Sequence, residues 1–315
     1  TGIAGIEMQY NSSLEGKDGK LIVSTDASGR EIPQGSEIYY EPEQGNGLVL
    51  TIDEVIQHYT EKAAEKAYEV TGAKRINVVA MDPKTGDILA MTSKPDYDPN
   101  NSRTAIYPYY ENELSQYSDK EKIKGYFSMW RNPAVSDTYE PGSTFKTLSF
   151  LVAMDDGYIT DSTYVDTEDG SHKFANRIMK DHNFKGKGGN GGFGVASVVT
   201  VMHQSSNVGV SKLIDKYYSK NPQAFVDGLK RSGICNKIHL EIPGFGKPSI
   251  KNTDSKYWWK TSLPWMSIGY EVQMPPIYTL MIYNAIANDG CMVKPLFTEG
   301  YQRSGGMIDT TEVEV

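Results

Sequence analysis

Residues 77–92 constrain the fold most. The runs 77–81 and 88–92 are rich in Val, Met, Ile and Ala, and the stretch between them, Asp82-Pro83-Lys84-Thr85-Gly86-Asp87, is turn chemistry. Such a pattern reads as a β-hairpin. A helix precedes it. Thr51-Ile52-Asp53-Glu54 reads as a capping box, with the threonine hydroxyl and glutamate carboxylate meeting exposed backbone N–H groups. Val55, Tyr59, Ala63 and Ala67 then recur on one face, and Gly72 stops the run.

The first 46 residues differ in kind. Short strand-like runs such as 21–24 lie between turn signals at 17–20, 27–30 and 42–47. Their apolar content is too low for a separate core, so they read as the end of a preceding domain or an extended arm. Residues 95–140 are rich in Tyr, Asn, Pro and charge without sustained periodicity, and read as long surface excursions. Helical patterns occupy 144–154, 196–204, 208–218, 222–231 and 277–288. The last has Pro275-Pro276 at its start and Gly290 beyond its end. The glycine-rich stretch 186–194 lacks the order of a phosphate loop and reads as a plain loop.

Composition excludes several classes. With 32 basic and 40 acidic residues the net charge is −8, opposite in sign to what phosphate-backbone binding requires. The longest apolar stretches, 148–154 and 277–282, are far shorter than the roughly 18 residues of a membrane span. Residues 1–10 lack the basic start and apolar core of a signal peptide. Cys235 and Cys291 are too few for a disulfide scaffold or a four-cysteine zinc site. His58, His172, His182, His203 and His239 show no metal-ligand spacing. Trp258, Trp259 and Trp265 favour packing over groove lining, and Tyr107, Tyr109 and Tyr110 are a candidate partner surface.

The sharpest chemical signal is Glu140-Pro141-Gly142-Ser143-Thr144-Phe145-Lys146. Pro-Gly imposes a turn and the following apolar run is helical, which puts Ser143 in a first turn with Lys146 one turn on, on the same face. A serine hydroxyl is a weak nucleophile until a neighbouring base takes its proton. Lysine serves as that base where burial lowers its pKa. The alternative is a simple N-cap. A second element, Ser205-Ser206-Asn207, lies between two helical patterns. There the Ser205 hydroxyl is placed to relay a proton and the Asn207 amide to grip a peptide backbone, capping again being the alternative. Ser219-Lys220-Asn221 has the same spacing but precedes Pro222, and reads as a turn followed by an N-cap.

In this order and spacing, Ser143/Lys146 and Ser205/Asn207 resemble the penicillin-binding proteins, serine D,D-transpeptidases that cross-link peptidoglycan. Residues 5–19 look like the end of that family's N-terminal pedestal, and 48–53 like the entry to its transpeptidase domain. Residues 79–91 resemble its first hairpin, and 267–271 through 285–288 the helix region behind the active site. The arrangement is most similar to the monofunctional class B enzymes, of the cell-division type. The resemblance implies an α+β fold of the penicillin-binding protein/β-lactamase-like kind, a central antiparallel sheet flanked by helices. Residues 1–46 would be the pedestal remnant and 47–315 the transpeptidase domain.

It further implies Ser143 as nucleophile, Lys146 as general base, Ser205 as proton relay and Asn207 as substrate-binding residue, with no cofactor and no metal. The implied partners are peptidoglycan stem peptides, β-lactam antibiotics, a membrane glycan polymerase and other wall-synthesis or divisome proteins, with no nucleic acid. The implied location is the outer face of a bacterial cell membrane, through an anchor outside these residues.

One element departs from the family pattern. The family carries Lys-Thr/Ser-Gly after the second motif, but Lys84-Thr85-Gly86 precedes the nucleophile and reads as a hairpin turn. The expectation is therefore a C-terminally incomplete chain with impaired acylation. The rival readings are a serine β-lactamase or β-lactam sensor on the same scaffold, and a non-catalytic structural subunit of a wall-synthesis complex.

Overall fold

The computed structural model describes residues 2–32, 36–104, 116–186, 191–236, 238, 240–302 and the backbone of 308–310. Tyr107, Tyr109, Tyr110 and His239 lie outside the described residues. Contacts divide the chain into two compact units. One comprises Thr1–Asn132, Leu240–Gly244 and Val293–Val315, the other Pro133–His239 and Phe245–Met292.

In the first unit the expected hairpin forms from the antiparallel strands Ile76–Met81 and Ile88–Lys94. Its turn is held by the Asp82 carboxylate, which accepts the N–H groups of Lys84 at 2.7 Å and Thr85 at 3.1 Å. Gly86 has φ +86°, and a Cβ there would strike the Lys294 carbonyl. Lys84-Thr85-Gly86 is thus a structural turn.

The helix Glu54–Thr71 ends at Gly72 in the left-handed region, as expected. Its cap and its buried face both differ from the sequence reading. Asp53, not Thr51, is the N-cap, its carboxylate accepting from Val55 and Ile56 N–H at 2.9 Å. The buried Thr51 hydroxyl instead lies 2.8 and 2.9 Å from the carbonyl oxygens of Ile88 and Leu296. Val55 and Tyr59 are exposed and Ala64 is buried. Polar Gln57 belongs to the inward side because its side-chain amide bonds both the N–H (2.8 Å) and the C=O (3.1 Å) of Met91 in the neighbouring strand. A residue that satisfies two backbone groups carries no apolar signature.

Strand Thr298–Gln302 lies between Gly47–Leu50 and Ile308–Thr310, antiparallel to both. The polar tail thus contributes a strand that its composition did not signal. Strands Lys20–Val23 and Glu37–Tyr40 pair antiparallel, yet leave Leu21, Ile22, Ile38, Tyr39 and Tyr40 exposed, in line with an N-terminal segment lacking its own core. The 95–140 region holds a helix that periodicity missed, Asp119–Trp130. It starts where the Glu121 carboxylate accepts the Ser118 N–H at 2.9 Å, and it buries only Met129, so its amphipathic stripe is faint.

The second unit is built around helix Asn207–Tyr218, which buries Val208, Val210, Leu213, Ile214 and Tyr218. Against it pack Lys146–Asp155, Pro222–Arg231 and Ser262–Met266. Gly228 backs directly onto Val152, so the helices carrying them approach more closely than any side chain at position 228 would permit. Pro222–Arg231 and Pro276–Ala287 match their sequence signals closely, because proline at N1 marks the start of each. Short strands Ser171–Phe174 and Arg177–Lys180 form a second hairpin. Helices accompany antiparallel ladders in both units, an α+β architecture.

Candidate active site

All four residues singled out from sequence fall in the second unit. Ser143 sits in a single 3₁₀ turn, Gly142–Phe145, that leads directly into helix Lys146–Asp155. Phe145 and Leu148 anchor this start in the core, at 2 % and 3 % exposure, while Ser143 faces outward. Tyr283 supports it, its hydroxyl donating to the Thr144 carbonyl at 3.0 Å.

The chain before Ser143 is fastened to residues 269–274. Tyr139 and Met274 exchange both backbone hydrogen bonds, at 3.1 and 3.0 Å. The Glu140 carboxylate accepts the Glu271 N–H at 2.9 Å, and the Gly142 N–H donates to the Gly269 carbonyl at 3.1 Å. Gly269 has φ +84°, and a Cβ on it would lie 2.6 Å from the Gly142 nitrogen. Only glycine fits that approach. Behind it, the buried Ser149 hydroxyl donates to the Ser267 carbonyl at 2.8 Å.

Lys146 is 1 % exposed. Its Nζ donates to the Ser205 carbonyl at 2.6 Å and to Ser205 Oγ at 3.0 Å, and no carboxylate pairs with it among the described residues. Burial pushes its pKa down to about 8, against a smaller upward pull from the Asp181 carboxylate. The ammonium touches Ser205, not Ser143, so the two motifs meet through the lysine.

Ser205 lies between helices Val198–His203 and Asn207–Tyr218 with φ +50°, in the left-handed region, at the inter-helix corner. The capping alternative belongs to its neighbour. Ser206 is the N-cap of the second helix, accepting the Gly209 N–H at 2.9 Å. Asn207 is half-buried, and its Nδ2 donates to the Lys180 carbonyl at 2.8 Å. The competing Asn221 stands at a helix start with no side-chain cap bond, followed by Pro222.

Asp181 completes the cluster and escaped the sequence reading. It is 5 % exposed. One oxygen accepts from Ser206 Oγ at 2.7 Å and the other from the Val208 N–H at 2.9 Å. With the Lys180 carbonyl on Asn207, the end of strand Arg177–Lys180 holds the 205–208 turn from three sides. An acidic residue just after a short strand, in no motif, carries no sequence signal for this task. The tryptophans also depart from expectation. Trp259 is 63 % exposed, and Trp265 lines a cavity of about 510 Å³ beside Asn207.

The geometry brings together an exposed hydroxyl, a buried amine of lowered pKa, a second hydroxyl bonded to that amine, and an anchored carboxamide. That is the equipment of acyl transfer by a serine nucleophile.

Comparisons with known proteins give the family. The Penicillin binding protein transpeptidase domain matches residues 76–314, and the Penicillin-binding Protein dimerisation domain matches residues 1–50. Penicillin-binding protein PbpB of Mycolicibacterium smegmatis is 26% identical over 294 residues, 93% of this chain and 41% of the relative. The probable peptidoglycan D,D-transpeptidase PenA of Neisseria meningitidis is 28% identical over 297 residues, 94% of this chain and 45% of the relative. The chain thus spans less than half the length of these curated relatives. Among solved structures, penicillin-binding protein 2X from Streptococcus thermophilus superposes with TM-score 0.73 at 22% identity, covering 99% of this chain and 42% of that one. Penicillin-binding protein 3 from Mycobacterium tuberculosis, solved with ampicillin, gives 0.72 at 23% identity over 99% of this chain and 58% of that one. The fold is theirs, and the chain belongs to the penicillin-binding protein transpeptidase family.

Proposed function

We propose that the protein is a peptidoglycan D,D-transpeptidase of the class B, cell-division kind, acting through an acyl-serine at Ser143. One observation carries this reading: Lys146 is buried, ion-paired with no carboxylate among the described residues, and bonded to Ser205, one turn from an exposed serine. At pH 7 an amine with pKa about 8 is neutral in about a tenth of molecules, enough to act as a base.

Neutral Lys146 Nζ takes the Ser143 proton as Oγ attacks the penultimate D-Ala carbonyl of a stem peptide. The tetrahedral adduct collapses, the C–N bond breaks, and the proton passes from Lys146 through Ser205 Oγ to the departing D-Ala amine. Asn207 aligns the peptide backbone. An amine from a second stem peptide then attacks the acyl-serine, forming the cross-link and returning a proton to Ser143. β-Lactams acylate the same oxygen and stay bound.

Residues 1–46 and 47–315 fit the family's pedestal and transpeptidase domains in this reading. Among the described residues no helix is long and apolar enough to cross a membrane; a location at the outer face of the cell membrane belongs to this proposal. The glycan polymerase and division proteins expected as partners belong to the same proposal. No Lys-Thr/Ser-Gly follows Asn207 in these 315 residues, so acylation by this chain is slow. In the family that motif closes the cleft and supplies one of two oxyanion-hole N–H groups, and losing one such donor costs on the order of 100- to 1000-fold.

The test is incubation with a fluorescent penicillin followed by intact-mass measurement of wild type and Ser143→Ala. The reading requires an adduct on Ser143, absent from the variant. Undiminished labelling of Ser143→Ala would sink it, and rapid release of hydrolysed drug would mark a β-lactamase.

A further inference from the structure

The cavity beside Asn207 has an unbalanced charge. Arg177 and Lys180 line it together with Glu140, Glu271, Tyr270 and Trp265. Its acidic groups are engaged from within the protein: Glu140 accepts the Glu271 N–H at 2.9 Å, and the Glu271 carboxylate is 2.5 Å from Lys251 Nζ.

Its basic groups are not. The Arg177 guanidinium lies over the Trp265 ring at 4.5 Å and Lys180 Nζ over the Phe184 ring at 4.6 Å, and neither makes an ion pair among the described residues. Stacking occupies the flat face of a guanidinium and leaves its N–H edge free, so Trp265 orients Arg177 without using its donors. In a protein of net charge −8, two residues without ion-pair partners on one cavity run against the overall balance. They also adjoin the candidate site, because the Lys180 carbonyl holds the Asn207 amide at 2.8 Å.

We propose that this cavity is a carboxylate-recognition subsite for the donor peptide, in which Arg177 grips an acidic group upstream of the scissile bond and Lys180 supplies the second positive charge. The inference rests on the transpeptidase reading and adds to it a preference for an acidic over an amidated stem peptide. The carboxylate forms two parallel N–H···O bonds with the guanidinium edge, a geometry that lysine cannot reproduce.

The test uses Ser143→Ala, which binds without turnover, and two dye-labelled synthetic peptides ending in D-Ala-D-Ala. They differ only in an upstream carboxylate or its carboxamide. Fluorescence anisotropy should show the carboxylate peptide binding roughly tenfold tighter, as a charge-assisted bond implies. Adding Arg177→Gln should erase the difference, and Arg177→Lys should restore part of it. Should the Arg177→Gln protein fail to fold, Lys180→Gln provides the same comparison and should reduce the preference. Equal affinity for the two peptides, equal weakening of both by Arg177→Gln, or binding of neither would overturn the proposal. Failure of penicillin to label Ser143 would instead defeat the acyl-transfer reading, while the peptide preference would still report on the subsite.

Discussion

Lys146 and Lys94 are both withdrawn from water, yet their ammonium groups respond in opposite directions. The Lys94 side chain is only 12% exposed, but its Nζ lies 3.0 Å from the Glu65 carboxylate and 2.9 Å from that of Asp96. Burial lowers its pKa, the bonds to the two carboxylates raise it by more, and the net shift is upward. Lys146 meets only a carbonyl and a hydroxyl of Ser205, and burial prevails. The comparison shows that burial alone does not make a lysine basic at neutral pH. Burial beside neutral acceptors does.

The largest effect should come from Lys146→Met, which removes the base proposed for Ser143. Its rate of labelling by fluorescent penicillin should fall about 100- to 10,000-fold, while Lys94→Met stays within about twofold in the same assay. A small loss at Lys146 would break the contrast.

Asp181→Asn tests the one carboxylate that pulls on Lys146 from within the site. Wild-type acylation should rise with pH through about 8 as the lysine loses its proton. Removing the Asp181 charge lowers the lysine pKa further, so the acid limb of the pH–rate profile should move to lower pH. The loosened Ser206 turn should also slow acylation roughly tenfold. A slower enzyme with an unmoved limb would leave Asp181 a purely mechanical brace.

Stability should separate the lysines by sign. Between about 8 and the ordinary lysine value near ~10.4, the unfolded chain holds a proton that folded Lys146 has released, so this group's contribution to stability rises with pH. For Lys94 the folded pKa is raised, so its contribution is complete below the ordinary value and is lost as pH climbs through the raised one. Urea unfolding at pH 7.5 and 9.5 should show wild type gaining on Lys146→Met at the higher pH; a relative loss would reverse the assignment. The smallest effect is Lys94→Met at neutral pH, on the order of 0.5–1 kcal/mol by the same denaturation, as for partly exposed ion pairs.

The parts that the sequence made legible share a local cause. Proline at N1 places Pro222–Arg231, glycine in the left-handed region ends the helix at Gly72, and turn chemistry identifies Lys84-Thr85-Gly86 as a hairpin despite its motif-like letters. Ser143, Lys146, Ser205 and Asn207 were singled out because they lie in two short segments whose order and spacing resemble a known family. Asp181, Gln57 and Gly269 were not, since each serves partners far along the chain, and no periodicity encodes that a carboxylate meets Ser206 or that Gly142 needs a neighbour without a Cβ. The helix Asp119–Trp130 was missed for another reason: a single buried residue leaves almost no apolar stripe.

The fastening of the nucleophile's turn to residues 269–274 has a consequence for how the protein comes into being. Glu140 and Glu271 are 131 positions apart, so the brace behind Ser143 closes only after that whole loop has been made and drawn in. A nascent chain emerging from its N-terminal end would expose Ser143 and Lys146 long before the residues that hold them in place. Ser143 is therefore fixed in its folded setting late in synthesis, once the residues that brace it have been made.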